Sequence, residues 1–131
     1  MSRQRILVID DEQDLCRVMK LNLERGGAYE VTVAYSGADG LAKAQAASFD
    51  LVITDFNMPG MDGAAVLDAV KTLNPRTAVL VFSVYHDDRG RITSSVHRKA
   101  DGIITKPIDH AKLEAAIQRL LGPHGDGHER A

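Results

Sequence analysis

Short runs of β-branched and aliphatic residues alternate along this chain with longer segments whose apolar positions recur at a helical interval. Ile6, Leu7, Val8 and Ile9 form a continuous apolar run, which predicts a strand covered on both faces. Leu15, Val18, Met19 and Leu23 fall at i, i+3, i+4 and i+8 and predict a helix that stops near Gly26 and Gly27. Val31, Val33 and Tyr35 alternate as a second strand. Ser36 is placed to N-cap a helix carrying Leu41, Ala42 and Ala46. Residues 49–54 read as a third strand. Asp62 can cap a helix with Ala65, Val66, Ala69, Val70 and Leu73, which Asn74 and Pro75 end. Residues 78–82 are a fourth strand. The helix after it is weakly specified: Gly90, Thr93, Ser94 and Ser95 are poor formers, and only Ile92 and Val96 make an apolar i,i+4 pair. Residues 101–105 form a short fifth strand. Leu113, Ala116, Ile117, Leu120 and Leu121 mark a last amphipathic helix. From Gly122 onward the chain is rich in Gly, His and charge, so a domain over 1–121 and a flexible tail or linker stub over 122–131 are expected.

Five βα repeats imply an α/β fold, a doubly wound parallel sheet with helices on both faces. The flavodoxin-like strand order 2-1-3-4-5 is the most economical, with a site at the carboxyl ends of the strands. At 131 residues, 44% hydrophobic and 26% charged, the chain has the size and composition of one globular domain. A net charge of −2 lacks the basic excess of a nucleic-acid binder, so no direct nucleic-acid partner is expected. The longest apolar run, residues 78–82, is far too short for a bilayer, and the run at 6–9 is too short for a signal-peptide core. The single cysteine, Cys16, excludes an internal disulfide; a cytoplasmic location, without a membrane partner, is the expectation.

Asp10 and Asp11 follow the first predicted strand, and Asp55 follows the third, its neighbour in this strand order. Three converging carboxylates repel one another, so one takes a proton or a cation binds. Oxygen-only ligands with spare positions suit Mg²⁺. Helix capping accounts for Asp10, Asp11, Glu12 and Asp14 about as well, because acids favour a helix N-terminus. Asp55 alone would read as a turn residue. Ser83 ends the fourth strand and Lys106 ends the fifth. Together these residues supply a nucleophilic carboxylate, a metal-binding acid pair, a hydroxyl donor and a cation, the parts that move a phosphoryl group onto a carboxylate.

At these residues the chain resembles the receiver domain of two-component response regulators. The resemblance covers roughly residues 5–121. It rests on Ile9-Asp10-Asp11-Glu12, the run from Thr54 through Asp55, Asn57, Pro59 and Asp62 to Gly63, Val81-Phe82-Ser83, and Gly102-Ile103-Ile104-Thr105-Lys106-Pro107. It implies that Asp55 is the phosphoacceptor. Asp11 would bind Mg²⁺ directly, Asp10 through water, and Asp55 and the Asn57 backbone carbonyl would complete the set; Mn²⁺ could substitute. Lys106 would pair with Asp55 or a phosphate oxygen, Ser83 would hydrogen-bond the phosphoryl group, and the Lys106–Pro107 peptide would be cis. The implied partners are a histidine kinase or histidine phosphotransfer protein, and a downstream target or an output domain on a longer chain. The face of the fourth helix, fifth strand and last helix would carry the output, and a phosphorylation-dependent dimer is among the assemblies implied. The domain would be a switch rather than an enzyme.

Three positions depart from the family pattern. Ile103 replaces the usual aromatic, for which Tyr85 is a candidate substitute. Val84 follows Ser83 where Ala or Gly is usual, and its bulk could narrow access to Asp55. Lys99 stands where Gly is frequent, and a left-handed residue there would be strained. Other readings have specific gaps. A flavodoxin lacks its phosphate loop, because Asp10, Asp11 and Glu12 put acids there. An aspartyl-phosphate phosphatase would use Asp10 as nucleophile and Glu12 as second acid, without a cap segment. A degenerate, phosphorylation-independent binding module would not need Asp55, Ser83 and Lys106 together. His86, His97 and His110 read as surface residues, His124 and His128 as tail residues, and Cys16 as a packing residue.

Overall fold

The computed structural model describes residues 3–83 and 98–122. Val84, Tyr85, His86, His97, the weakly specified helix with Ile92 and Val96, and the tail with His124 and His128 lie outside the described residues. The elements are β1 (Gln4–Ile9), α1 (Gln13–Glu24), β2 (Tyr29–Ala34), α2 (Gly37–Ala46), β3 (Leu51–Asp55), α3 (Gly63–Leu73), β4 (Ala78–Ser83), β5 (Gly102–Thr105) and α4 (His110–Leu121). All strand pairs are parallel, and the order is β2-β1-β3-β4-β5, as expected from the sequence.

Successive residues of a strand point to opposite faces, so β1 feeds two cores. Ile6 and Val8 pack with Cys16, Met19 and Leu23 of α1 and with Leu113 and Ile117 of α4. Leu7 and Ile9 pack with Val66, Leu67 and Val70 of α3. These four residues of β1 are fully buried, each contributing about 1.5–3 kcal/mol of transfer free energy. This two-sided burial is why β1 reads as a continuous apolar run.

Several boundaries and faces differ from the sequence pattern. β3 starts at Leu51 and runs through Asp55, so Phe49 packs before the strand begins. Tyr35 lies just past β2, at the surface. In α1 the inward face is Cys16, Met19 and Leu23, and Val18 is 54% exposed. The interval i, i+3, i+7 from Cys16 competes with the one from Leu15, and contact with the sheet decides between them. In α3, Leu67 is buried while Leu73 is 47% exposed. Lys99 adopts helical backbone and pairs with Asp68 at 2.7 Å, and no non-glycine residue among those described has positive φ, so the expected strain is not there. Ile103 is half-buried against the α3 side of the core.

The helix starts are set locally. Ser36 Oγ accepts from the Asp39 N–H at 3.0 Å, and Asp62 Oδ1 from the Ala65 N–H at 3.0 Å. Asp109 Oδ1 accepts from the Ala111 N–H at 2.9 Å, a cap not anticipated from the sequence. Glu12 occupies the N-cap position of α1 but makes no side-chain cap.

Candidate phosphoacceptor site

The site lies where β1, β3, β4 and β5 end. Asp10 leaves β1 with its N–H donating to Ala34 O at 3.1 Å, and Oδ1 accepts from the Glu12 N–H at 2.9 Å. Asp11, the next residue, faces solvent. Asp55 is the last residue of β3, in register with Phe82 of β4, and the Phe56 N–H donates to Phe82 O at 2.7 Å. Ser83 ends β4, buried, one position beyond that partner. The Lys106 N–H donates to Ser83 O at 2.6 Å, and the Lys106–Pro107 peptide is cis. Parallel register thus delivers residues far apart in sequence to one edge.

Asp10, Asp11 and Asp55 each offer a carboxylate oxygen, all within 4.8 Å of one another. Lys106 Nζ lies 3.1 Å from Asp10 Oδ2, 3.5 Å from Asp55 Oδ2 and 3.5 Å from Glu12 Oε1. Asn57 is exposed, and its N–H donates to Asp55 Oδ1 at 3.3 Å. The loop carrying Asn57 is pinned at its far end. The Gly63 N–H donates to Phe56 O at 3.0 Å, and a Cβ at Gly63 would sit 2.6 Å from Phe56 Cα and 2.7 Å from Asp55 O. Only glycine lets α3 approach the backbone of Asp55 so closely. Neither Gly63 nor the reach of Glu12 to Lys106 was assigned from sequence. A glycine after Asp62 hints at the first, whereas nothing local signals a contact across 94 positions.

Burial and then the Asp10 charge push the Asp55 carboxyl up to about 6 despite Lys106. Asp10 is also raised, mainly by burial. Burial works to lower Lys106, but the Asp10 and then the Asp55 charges outweigh it, and the ammonium is held above its usual value. One lysine therefore leaves a surplus of negative charge. An oxygen-only donor set of this span, with two of three acids buried and one carboxyl held near 6, fits a small divalent cation. Cys16 takes no part: its thiol donates to Asp10 O at 3.3 Å, and burial pushes it up to about 12.

A parallel 2-1-3-4-5 sheet with an acidic cluster and a lysine at its carboxyl edge is the arrangement of a flavodoxin-like receiver fold. The chain matches the response regulator receiver domain over residues 6–118, and it belongs to that family of two-component signalling switches. It is 35% identical over 116 residues to the transcriptional regulatory protein ZraR of Salmonella typhimurium, covering 88% of this chain and 26% of that protein. It is 30% identical over 125 residues to the uncharacterized transcriptional regulatory protein YkoG of Bacillus subtilis, covering 95% and 54%. The chain therefore spans about a quarter of the first and about half of the second. Among solved structures, the chemotaxis protein CheY4 of Vibrio cholerae is similar with a TM-score of 0.83 and 30% identity, over 92% of this chain and 100% of that one. The response regulator TrrA of Thermotoga maritima, in complex with Mg(2+)-BeF, is similar with a TM-score of 0.79 and 30% identity, over 90% and 99%. Among the described residues no helix is long and apolar enough to cross a membrane.

Proposed function

We propose that Asp55 accepts a phosphoryl group from the phosphohistidine of a histidine kinase or histidine phosphotransfer protein, or from a small donor. The observation that carries this reading is the convergence of Asp10, Asp11 and Asp55 within 4.8 Å beside Lys106. A carboxylate oxygen of Asp55 attacks phosphorus, the P–N bond of the donor breaks, and the imidazole leaves with the electron pair. Asp10, Asp11, Asp55 and the Asn57 backbone carbonyl are the residues to hold Mg²⁺, with Mn²⁺ a substitute, and the similarity to TrrA supports the choice. Bound there, the cation neutralises charge on the phosphoryl oxygens. Lys106 keeps its ammonium against those oxygens, and the Ser83 hydroxyl donates to one of them.

In this reading residues 1–121 are the receiver and 122–131 a tail or linker stub. Recruitment of Ser83, the last residue of β4, by the new dianion alters the face that β5 and α4 present. That surface would engage a downstream protein, an output domain or a second receiver, in the cytoplasm. The direct test is intact mass after incubation with acetyl phosphate and Mg²⁺. One phosphoryl adduct is expected on the wild type and none on Asp55→Asn. An adduct on both, or on neither, would overturn the assignment.

A further inference from the structure

Among the described residues, Glu12 is the one carboxylate touching Lys106 that the chemistry above does not use. Its backbone is fixed on both sides: the N–H donates to Asp10 Oδ1 at 2.9 Å and the carbonyl accepts from the Cys16 N–H at 3.1 Å. From the N-cap position of α1 its side chain does not cap the helix. Instead Oε1 lies 3.5 Å from Lys106 Nζ. Among the described residues, the three acidic partners of Lys106 form a gradient of depth. The Asp10 and Asp55 side chains are 0% and 4% exposed, and that of Glu12 is 64% exposed. A donor coming from solvent therefore meets the Glu12 charge before it meets Asp55. The neighbouring acid Asp14 is paired with Arg17, whereas the Glu12 charge faces the site.

We infer that Glu12 is a specificity-determining residue that discriminates among phosphodonors by their charge. Two effects act in the same direction. Its carboxylate repels an incoming anion at the mouth of the site, and it holds part of the Lys106 charge that the phosphoryl oxygens need. A doubly charged donor is penalised more than a singly charged one. A phosphohistidine presented by a partner protein, whose surface can offer a cation to Glu12, escapes part of the penalty. The inference deepens the proposed function and rests on it.

Acetyl phosphate, a dianion near neutral pH, and phosphoramidate, a monoanion, separate the two cases. In both, Asp55 forms the new P–O bond. The P–O bond to acetate breaks in the first and acetate leaves; in the second the P–N bond to the already protonated nitrogen breaks and neutral ammonia leaves with the electron pair. At saturating Mg²⁺, Glu12→Gln should speed phosphorylation by acetyl phosphate about threefold at low salt, and by phosphoramidate distinctly less. Glu12→Lys should extend the same trend, and the difference between donors should shrink at high ionic strength. In the metal-free protein the ¹⁵N-labelled Lys106 ammonium resonance should move in Glu12→Gln and stay in place in Asp14→Asn. Equal rate changes for both donors, or an ordering of Glu, Gln and Lys variants that ignores charge, would overturn the inference while wild-type labelling leaves the function intact. A wild type that takes no phosphoryl group from either donor defeats the underlying assignment instead.

Discussion

At the scale of single residues, Asp55 carries a measurable cost. Its carboxyl sits at about 6 in the fold and near 3.8 without it. The folded state thus binds the proton more tightly, so the stability this group contributes is full below about pH 4 and is lost as pH rises through about 6. Two pH units correspond to roughly 3 kcal/mol. In metal-free buffer Asp55→Asn should therefore be more stable than wild type at pH 7.5 by about 1–3 kcal/mol, and the gap should close near pH 4. Urea unfolding of both proteins at the two pH values checks this; a gap independent of pH would mean that the Asp55 charge is not the strained element.

At the scale of elements, the strand ends supply the chemistry and the helix starts fix its geometry. α3 presses its first residue, Gly63, against the backbone of Phe56 and Asp55. A methyl group there has backbone, not a movable side chain, in its way. Gly63→Ala should cost about 1–3 kcal/mol in chemical denaturation. It should also slow Asp55 phosphorylation, because the Asn57 N–H and carbonyl belong to the displaced loop. A destabilised variant with unchanged phosphorylation would show that the loop's position does not matter to the site. By contrast, α1 enters without a side-chain cap, and its N-cap residue is turned toward Lys106. A local preference is given up there for an interaction across the sheet.

At the scale of the whole molecule, the charge surplus links cation binding to folding. A ligand that binds only the folded state stabilises it by about 2.7 kcal/mol at a hundredfold excess over its Kd. Mg²⁺ should therefore raise the thermal midpoint of the wild type, and Asp11→Asn should blunt that rise while leaving the metal-free midpoint little changed, since Asp11 is exposed. Equal Mg²⁺ responses in the two proteins would remove Asp11 from the ligand set.

The sequence by itself determined the fold class, because two-sided burial of β1 and alternating βα periods leave few arrangements for a parallel sheet. It also put Asp10, Asp55, Ser83 and Lys106 each at a strand's carboxyl end, since strand ends are readable where apolar runs stop. The helix faces were less legible: Cys16 and Val18 both fit a helical interval, and only packing against the sheet turned Cys16 inward. The close approach at Gly63 and the reach of Glu12 to Lys106 were decided by tertiary structure alone. Such contacts depend on strand register and burial, which join residues nearly a hundred positions apart and leave no local trace in the order of residues.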